Sequence, residues 1–110
     1  MASVPPARTD IEAVLSPAEV GRILGVHART VQRRRATAHT PSPLEAQRRE
    51  KLHRIWKQLL ELYTPENAFR WLRSAVPALG DQRPLDIMAE DGGLDRVLDA
   101  VVRMQWGIPA

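Results

Sequence analysis

Hydrophobic and polar residues recur with the period of an α-helix along most of this chain. The clearest stripe follows Pro43, where apolar residues have the i, i+3, i+4, i+7 spacing of one buried helix face: Leu52, Ile55, Trp56, Leu59, Leu60 and Tyr63. The opposite face is basic, with Arg48, Arg49, Lys51, Arg54 and Lys57. A second stripe, Leu94, Val97, Leu98, Val101 and Val102, lies near the end of the chain. No segment shows the period of two that a strand requires, so the pattern predicts an all-α protein of about six helices.

Helix starts are marked by a hydroxyl residue followed by proline. Ser16-Pro17-Ala18-Glu19 places a capping side chain, a proline at the first helical position and a glutamate at the third. Ser42-Pro43-Leu44-Glu45 repeats this box, and Thr64-Pro65-Glu66-Asn67 is a weaker version of it. Shorter helices are predicted over 10–15, 65–74 (burying Phe69 and Leu72) and 84–89, with a break at Gly92-Gly93.

Residues 17–36 read PAEVGRILGVHARTVQRRRA, which predicts a short helix, a turn led by glycine and a second helix. The apolar seam is formed by Val20, Leu24, Val26 and Val31. Gly21 allows close approach of the two helices, and Gly25 suits a positive φ where the first helix stops. This segment resembles the DNA-binding helix-turn-helix of Xre-like repressors, except that Arg34 stands where a buried Trp or aliphatic residue is usual.

In such motifs the start of the second helix enters the major groove. The residues placed there are Ala28, Arg29, Thr30, Gln32 and Arg33, of which arginine suits guanine and glutamine suits adenine in bidentate contacts. Arg22, His27 and Arg35 would lie nearer the phosphates. The alternative is that Arg33-Arg34-Arg35 is only a solvated helix end favoured by the helix dipole.

The formal net charge of +3 is unevenly distributed along the chain. Residues 1–57 hold 11 Lys or Arg against 5 Asp or Glu, and residues 58–110 hold 5 against 8, so the two parts carry +6 and −3. This asymmetry suggests two surfaces with different partners, the basic one suited to a phosphate backbone. The alternative is an uneven solvated surface.

The chain lacks the residue patterns that catalysis or metal binding would need. His27, His39 and His53 have no His or Cys partner at metal-ligand spacing, cysteine is absent, and no phosphate-binding glycine loop or nucleophile elbow occurs. We therefore predict no enzyme activity, metal or cofactor. The first residues lack an apolar signal segment, and no apolar run could span a bilayer, so we expect a cytoplasmic protein.

Residues 71–107 read WLRSAVPALGDQRPLDIMAEDGGLDRVLDAVVRMQWG. The proline-containing loop 76–83, the following RPLD and the later RVLDAV resemble the toxin-binding region of Xre/MbcA/ParS-type antitoxins, which belong to type II toxin–antitoxin pairs. With the helix-turn-helix and the long helix, the resemblance covers about residues 16–107. It implies an N-terminal arm and short helix (1–15), a helix-turn-helix (16–41), a linking helix (42–63) and a toxin-binding region (64–110).

The resemblance also implies a function. Such a protein binds and neutralises a RES-domain, NAD-consuming toxin by occluding its active site, and represses its own operon, usually as an oligomer with the toxin. The residues that match the family are Trp71, Leu72, Pro77, Leu79, Gly80, Arg83, Pro84, Leu85, Asp86 and the helix Leu94 to Trp106, which includes Arg103. Among them Leu72, Leu79 and Leu85 suit folding more than contact. The tail Gly107, Ile108, Pro109 and Ala110 is added as toxin-binding because a short apolar end suits entry into a partner's cleft; the alternative is a frayed terminus.

Alternatives remain open at this point. One is a stand-alone Xre-type regulator without a toxin, and another is a structural interaction module that no longer binds DNA. For the indole of Trp106 itself, closing the core at the end of the last helix is the favoured alternative. The operator, the toxin's identity, the stoichiometry and the face that forms a homodimer are not determined by the sequence.

Overall fold

The structure, a computed structural model, describes the backbone of residues 10–36 and 41–107, with side chains throughout except at 34–36. Within this part the helices are α1 (Ile11–Val14), α2 (Pro17–Leu24), α3 (Ala28–Ala36), α4 (Pro43–Leu62), α5 (Pro65–Leu72), a 3-10 turn (Pro77–Leu79), α6 (Pro84–Met88) and α7 (Gly93–Gln105). The only β-pairing among these residues is an isolated bridge between Val76 and Gln82. The prediction of an all-α protein is therefore confirmed. The expected N-terminal arm, 1–9, lies outside the described residues.

Local capping explains where the helices begin. The Ser16 hydroxyl accepts the N–H of Glu19 at 3.1 Å, and the Glu19 carboxylate accepts the N–H of Ser16 at 2.9 Å, which completes the predicted capping box. The Ser42 hydroxyl accepts the N–H of Glu45 at 3.2 Å, and the Thr64 hydroxyl accepts the N–H of Asn67 at 3.3 Å. All three predicted helix starts are confirmed. They were predictable because each cap depends on neighbours within three residues.

A single apolar cluster joins helices from both ends of the chain. Leu52, Ile55 and Leu59 of α4 are fully buried, and Trp56 is 3% exposed. Around them the cluster includes Ile11, Val20, Ile23, Leu24, Leu72, Ile87, Met88, Val97 and Val101. The sequence prediction of this face is confirmed through Leu59, and Leu60 is partly buried against the cluster.

The prediction that Tyr63 continues the buried face is wrong. Helix α4 ends at Leu62, and Tyr63 is its C-cap, with extended backbone angles of φ −135° and ψ 159°. Leaving the helix removes the side chain from the buried face, and 37% of it is exposed. In α5 the fully buried residues are Ala68 and Leu72, whereas Phe69 is only partly buried and the helix ends two residues earlier than predicted.

Helices α4 and α7 lie side by side and run in the same direction. Lys51 Nζ lies 3.0 Å from Asp95 Oδ1, and the Gln105 amide donates to the Glu61 carboxylate. The partners in both pairs are 44 residues apart in sequence. The two helices therefore keep the same alignment from Lys51 to Glu61, over ten residues or about 15 Å of helix. The C-terminal ends of the two helices are therefore adjacent.

Candidate functional site

The first candidate surface is the pair of helices α2 and α3. Gly25 has φ 78°, and its N–H bonds to the carbonyl of Gly21 at 2.8 Å. A Cβ atom at Gly21 would lie 2.5 Å from the carbonyl oxygen of Val26, so only glycine permits this approach. Val20, Leu24 and Val31 are buried between the helices. The geometry is consistent with the predicted helix-turn-helix. Ile23 of α2 is buried as well, which the sequence analysis missed.

The predicted DNA-binding side chains have different surroundings. Arg29, Gln32 and Arg33 are exposed, and Ala28 and Thr30 are half-buried. His27 caps α3, because its Nδ1 accepts the N–H of Arg29 at 3.2 Å. This capping role was not predicted from the sequence. The side chains of Arg34 and Arg35 lie outside the described residues.

The second candidate surface belongs to α6. Arg83 donates from Nε and Nη2 to the two carboxylate oxygens of Asp86, each at 2.9 Å. This hydrogen-bonded pairing raises the pKa of Arg83 and lowers the pKa of Asp86, so both groups stay charged at neutral pH. Both side chains are exposed to solvent over nearly half their area.

Pro84, which was predicted as a toxin contact, is fully buried. It occupies the first position of α6, where a missing N–H costs nothing because that N–H would have no helical partner. Its burial assigns it to the fold and removes it from the surface that a partner could meet. Leu72, Leu79 and Leu85 are buried as well, as their expected folding role requires.

The end of α7 is the third candidate surface. Trp106 is 79% exposed, so the alternative that it closes the core is wrong. It caps α7, and Gly107 follows with φ 77°. Arg103, also exposed, pairs with Asp99 at 3.0 Å. The remaining tail residues predicted to bind toxin, Ile108, Pro109 and Ala110, lie outside the described residues. Trp71, another predicted toxin contact, is partly buried against the core.

Charged contacts tie the N-terminal helices to the rest of the chain. Arg73 Nη2 lies 2.8 Å from Glu19 of α2, and Glu12 of α1 pairs with both Arg49 and His53 of α4. The hydrogen bond to Glu12 raises the pKa of His53, although burial opposes this shift. Because these partners lie 37 to 54 residues apart, sequence spacing could not reveal them.

One group of possible metal ligands is brought together by this contact. Oxygen or nitrogen atoms of Asp10, Glu12 and His53 lie within 4.8 Å of one another. However, the Arg49 guanidinium lies 3.2 Å from the Glu12 oxygen that meets His53, and it supplies positive charge there. The arrangement is that of an ion-pair cluster between α1 and α4.

An open apolar cleft of about 310 Å³ lies where α1 meets α5. It is lined by Val14, Pro65, Glu66 and Phe69, which provide one carboxylate and no second group for acid–base or nucleophilic chemistry.

Among the helices of residues 10–36 and 41–107, none combines the length and apolar content of a membrane span.

Comparisons with known proteins agree on one kind of protein. A family model described as the antitoxin Xre/MbcA/ParS C-terminal toxin-binding domain matches residues 58–107. The curated protein Antitoxin Xre of Yersinia enterocolitica is 24% identical over 98 residues, which is 87% of this chain. The aligned part of this chain spans 66% of the length of that relative, just under two thirds.

A solved structure extends this likeness over nearly the whole chain. A chain in the crystal structure of the M. tuberculosis MbcT-MbcA toxin-antitoxin complex has a TM-score of 0.71 and 28% identity. The alignment covers 98% of this chain and 100% of that chain.

The described residues form a small all-helical protein with three candidate binding surfaces. The family resemblance found in the sequence is confirmed, because all three comparisons support an Xre/MbcA/ParS-type antitoxin. The family match starts at residue 58, inside α4 and six residues before the predicted boundary at 64.

Proposed function

We propose that this chain is the antitoxin of a toxin–antitoxin pair and that it neutralises a RES-domain, NAD-consuming toxin by covering the opening of its active site. The observation that carries this proposal is Trp106, a large aromatic side chain left 79% exposed at the end of the matched segment. The family description, which names toxin binding, and the likeness to the MbcT-MbcA complex support a toxin as the partner. The RES class and the NAD chemistry rest on the resemblance.

The mechanism is steric and needs no chemistry from this chain. The buried face of α7, with Val97 and Val101 in the core, fixes the helix on the domain. Trp106 then lies at the end of the helix, where its exposed aromatic side chain can enter a cleft of the toxin. We propose that inhibition is stoichiometric and takes place in the cytoplasm, where the toxin would meet NAD.

Trp106→Ala should weaken toxin binding by about 2 kcal/mol or more, because buried aromatic anchors dominate such interfaces. The fold should be unaffected, since the side chain is already exposed. The measurement is NAD consumption by the toxin, titrated with wild-type and variant antitoxin. A chain ending at Gly107 tests the tail separately; cutting earlier would remove Met104, which packs on the core, and Gln105, which bonds to Glu61.

Equal inhibition by wild type and both variants at equal concentrations would contradict occlusion by this end. The inhibitory surface would then have to lie around Arg83 and Asp86. Charge reversal of that pair, with Arg83→Asp and Asp86→Arg in one chain, would be the next variant to titrate.

We further propose that the chain represses its own operon through α2 and α3. The support is the exposure of Arg29, Gln32 and Arg33 on α3 and the charge of +6 on residues 1–57. The competing proposal is a stand-alone Xre-type regulator, which would bind DNA equally but fail to co-purify with the product of the adjacent reading frame.

Arg29→Ala and Gln32→Ala should each weaken specific operator binding by about 1–3 kcal/mol if the contacts are bidentate. Arg54→Ala is the matched control, because it removes an exposed arginine from α4, outside the motif. Gel shifts at two salt concentrations would separate base contacts from phosphate contacts. Unchanged operator affinity in the Arg29/Gln32 double variant would refute this assignment, and no shift by wild type would favour a structural module.

A further inference from the structure

Large hydrophobic side chains are exposed at two places in the described part of the chain. Leu44, at the start of α4, is 57% exposed. The other three are Leu62 at 39%, Tyr63 at 37% and Trp106 at 79%. These three all fall within the segment 58–107 that matches the toxin-binding domain, whereas Leu44 falls outside it.

The parallel register of α4 and α7 places the three residues at one end of the molecule. With Lys51 opposite Asp95 and Glu61 opposite Gln105, the same offset puts Leu62 level with Trp106 and Tyr63 level with Gly107. Both helices stop at this level, since Leu62 is the last residue of α4 and Gln105 the last of α7. We call Leu62, Tyr63 and Trp106 the apolar end.

The apolar end has the properties of a protein-binding surface. Exposed apolar side chains grouped together and rimmed by polar ones mark interaction sites in soluble proteins. Here the rim includes the hydrogen-bonded pair Glu61 and Gln105, which holds the two helix ends together. Tyr63 is held as well, because its N–H bonds to the carbonyl of Leu59 at 2.8 Å.

We propose that the apolar end is one docking surface and that Leu62 and Tyr63 of α4 contact the toxin beside Trp106. This inference rests on the proposed function and adds to it contacts from a second helix, α4, in which the sequence analysis named no toxin-binding residue. It also gives the exposed Tyr63 a role, although the helical pattern had assigned it to the core.

Continuity with the matched segment favours the toxin over a second copy of this chain. Leu62, Tyr63 and Trp106 all lie in residues 58–107, which match a toxin-binding domain. Leu62 also lies at the level of Trp106 on the neighbouring helix, so a toxin that covers Trp106 can contact Leu62 as well.

The test is a double variant, Leu62→Ser with Tyr63→Ser, compared with Leu44→Ser. All three positions are exposed, and Leu44 lies on the same helix at its other end, so it controls for loss of an exposed leucine. The probe is the purified protein encoded by the adjacent reading frame, with Kd measured by calorimetry. We expect Kd to rise about 30-fold for the double variant and to change less than about twofold for Leu44→Ser.

Each other outcome overturns the inference in a distinguishable way. If wild type does not bind the probe, the proposed function fails first. If wild type binds and the double variant binds equally well, the apolar end is not part of the toxin interface. If the double variant converts an antitoxin dimer to a monomer in light scattering while toxin affinity is unchanged, the occupant is a second copy. If the double variant has a lower melting temperature than wild type, its Kd is replaced by that of Leu62→Gln. This substitution keeps the length and the helix propensity of the side chain.

Discussion

Trp56→Ala is expected to destabilise the protein by about 3–5 kcal/mol. The indole is 3% exposed and belongs to the same apolar cluster as Leu52, Ile55 and Leu59, which are fully buried on the same helix. A domain of this size has a total stability of only about 5–15 kcal/mol, so a loss of this size is a large fraction of it.

Trp106→Ala provides a control with the same residue type. Because 79% of its surface is already in water, its removal should change the free energy of unfolding by less than about 0.5 kcal/mol. Urea denaturation of the two variants gives the comparison. A Trp56 variant whose thermal midpoint stays within a few degrees of wild type would contradict the assignment of Trp56 to the core.

Gly93→Ala is expected to cost about 3 kcal/mol or more, well above the cost at its neighbour Gly92. A Cβ at Gly93 would lie 1.6 Å from the carbonyl oxygen of Ile87 and 2.6 Å from its carbon. These are backbone atoms of α6, which cannot rotate away as a side chain would. Helix α7 would have to separate from α6, and the Arg83–Asp86 pair on α6 would move with it.

Gly92→Ala is the matched control for this prediction. Gly92 has φ 73°, but a Cβ there would meet nothing within 4 Å. The substitution therefore costs only the left-handed backbone conformation, about 1 kcal/mol. Equilibrium unfolding of both variants gives the order of the two effects. A Gly92 variant less stable than the Gly93 variant would show that backbone conformation, and not helix contact, makes this pair necessary.

What the sequence predicts well depends on near neighbours. The caps at Ser16, Ser42 and Thr64 act over three residues, and the burial of Leu52 to Leu59 follows from the helical period alone. The same period fails at Tyr63 because Thr64 and Pro65 start a new helix, and the intervening residue becomes extended. Periodicity describes a helix but does not state where it stops.

The features that sequence could not supply involve distant partners. Gly92-Gly93 was recognised as a break, but the close approach to Ile87 is visible only in three dimensions. The contacts of Glu12 with His53 and of Glu19 with Arg73 join residues 41 and 54 positions apart. The burial of Pro84 and the exposure of Trp106 likewise depend on how α6 and α7 pack, which composition and spacing leave open.

The parallel pairing of α4 and α7 affects the order in which the chain folds. Two helices that run in the same direction cannot be joined by a short turn, and here each contact closes a loop of 44 residues. The entropy lost on closing that loop opposes folding before its contacts can form, whereas α2 and α3 meet across a turn of three residues. We therefore expect α2 and α3 to associate early, and the junction of α4 with α7, which assembles the apolar end, to form late in folding.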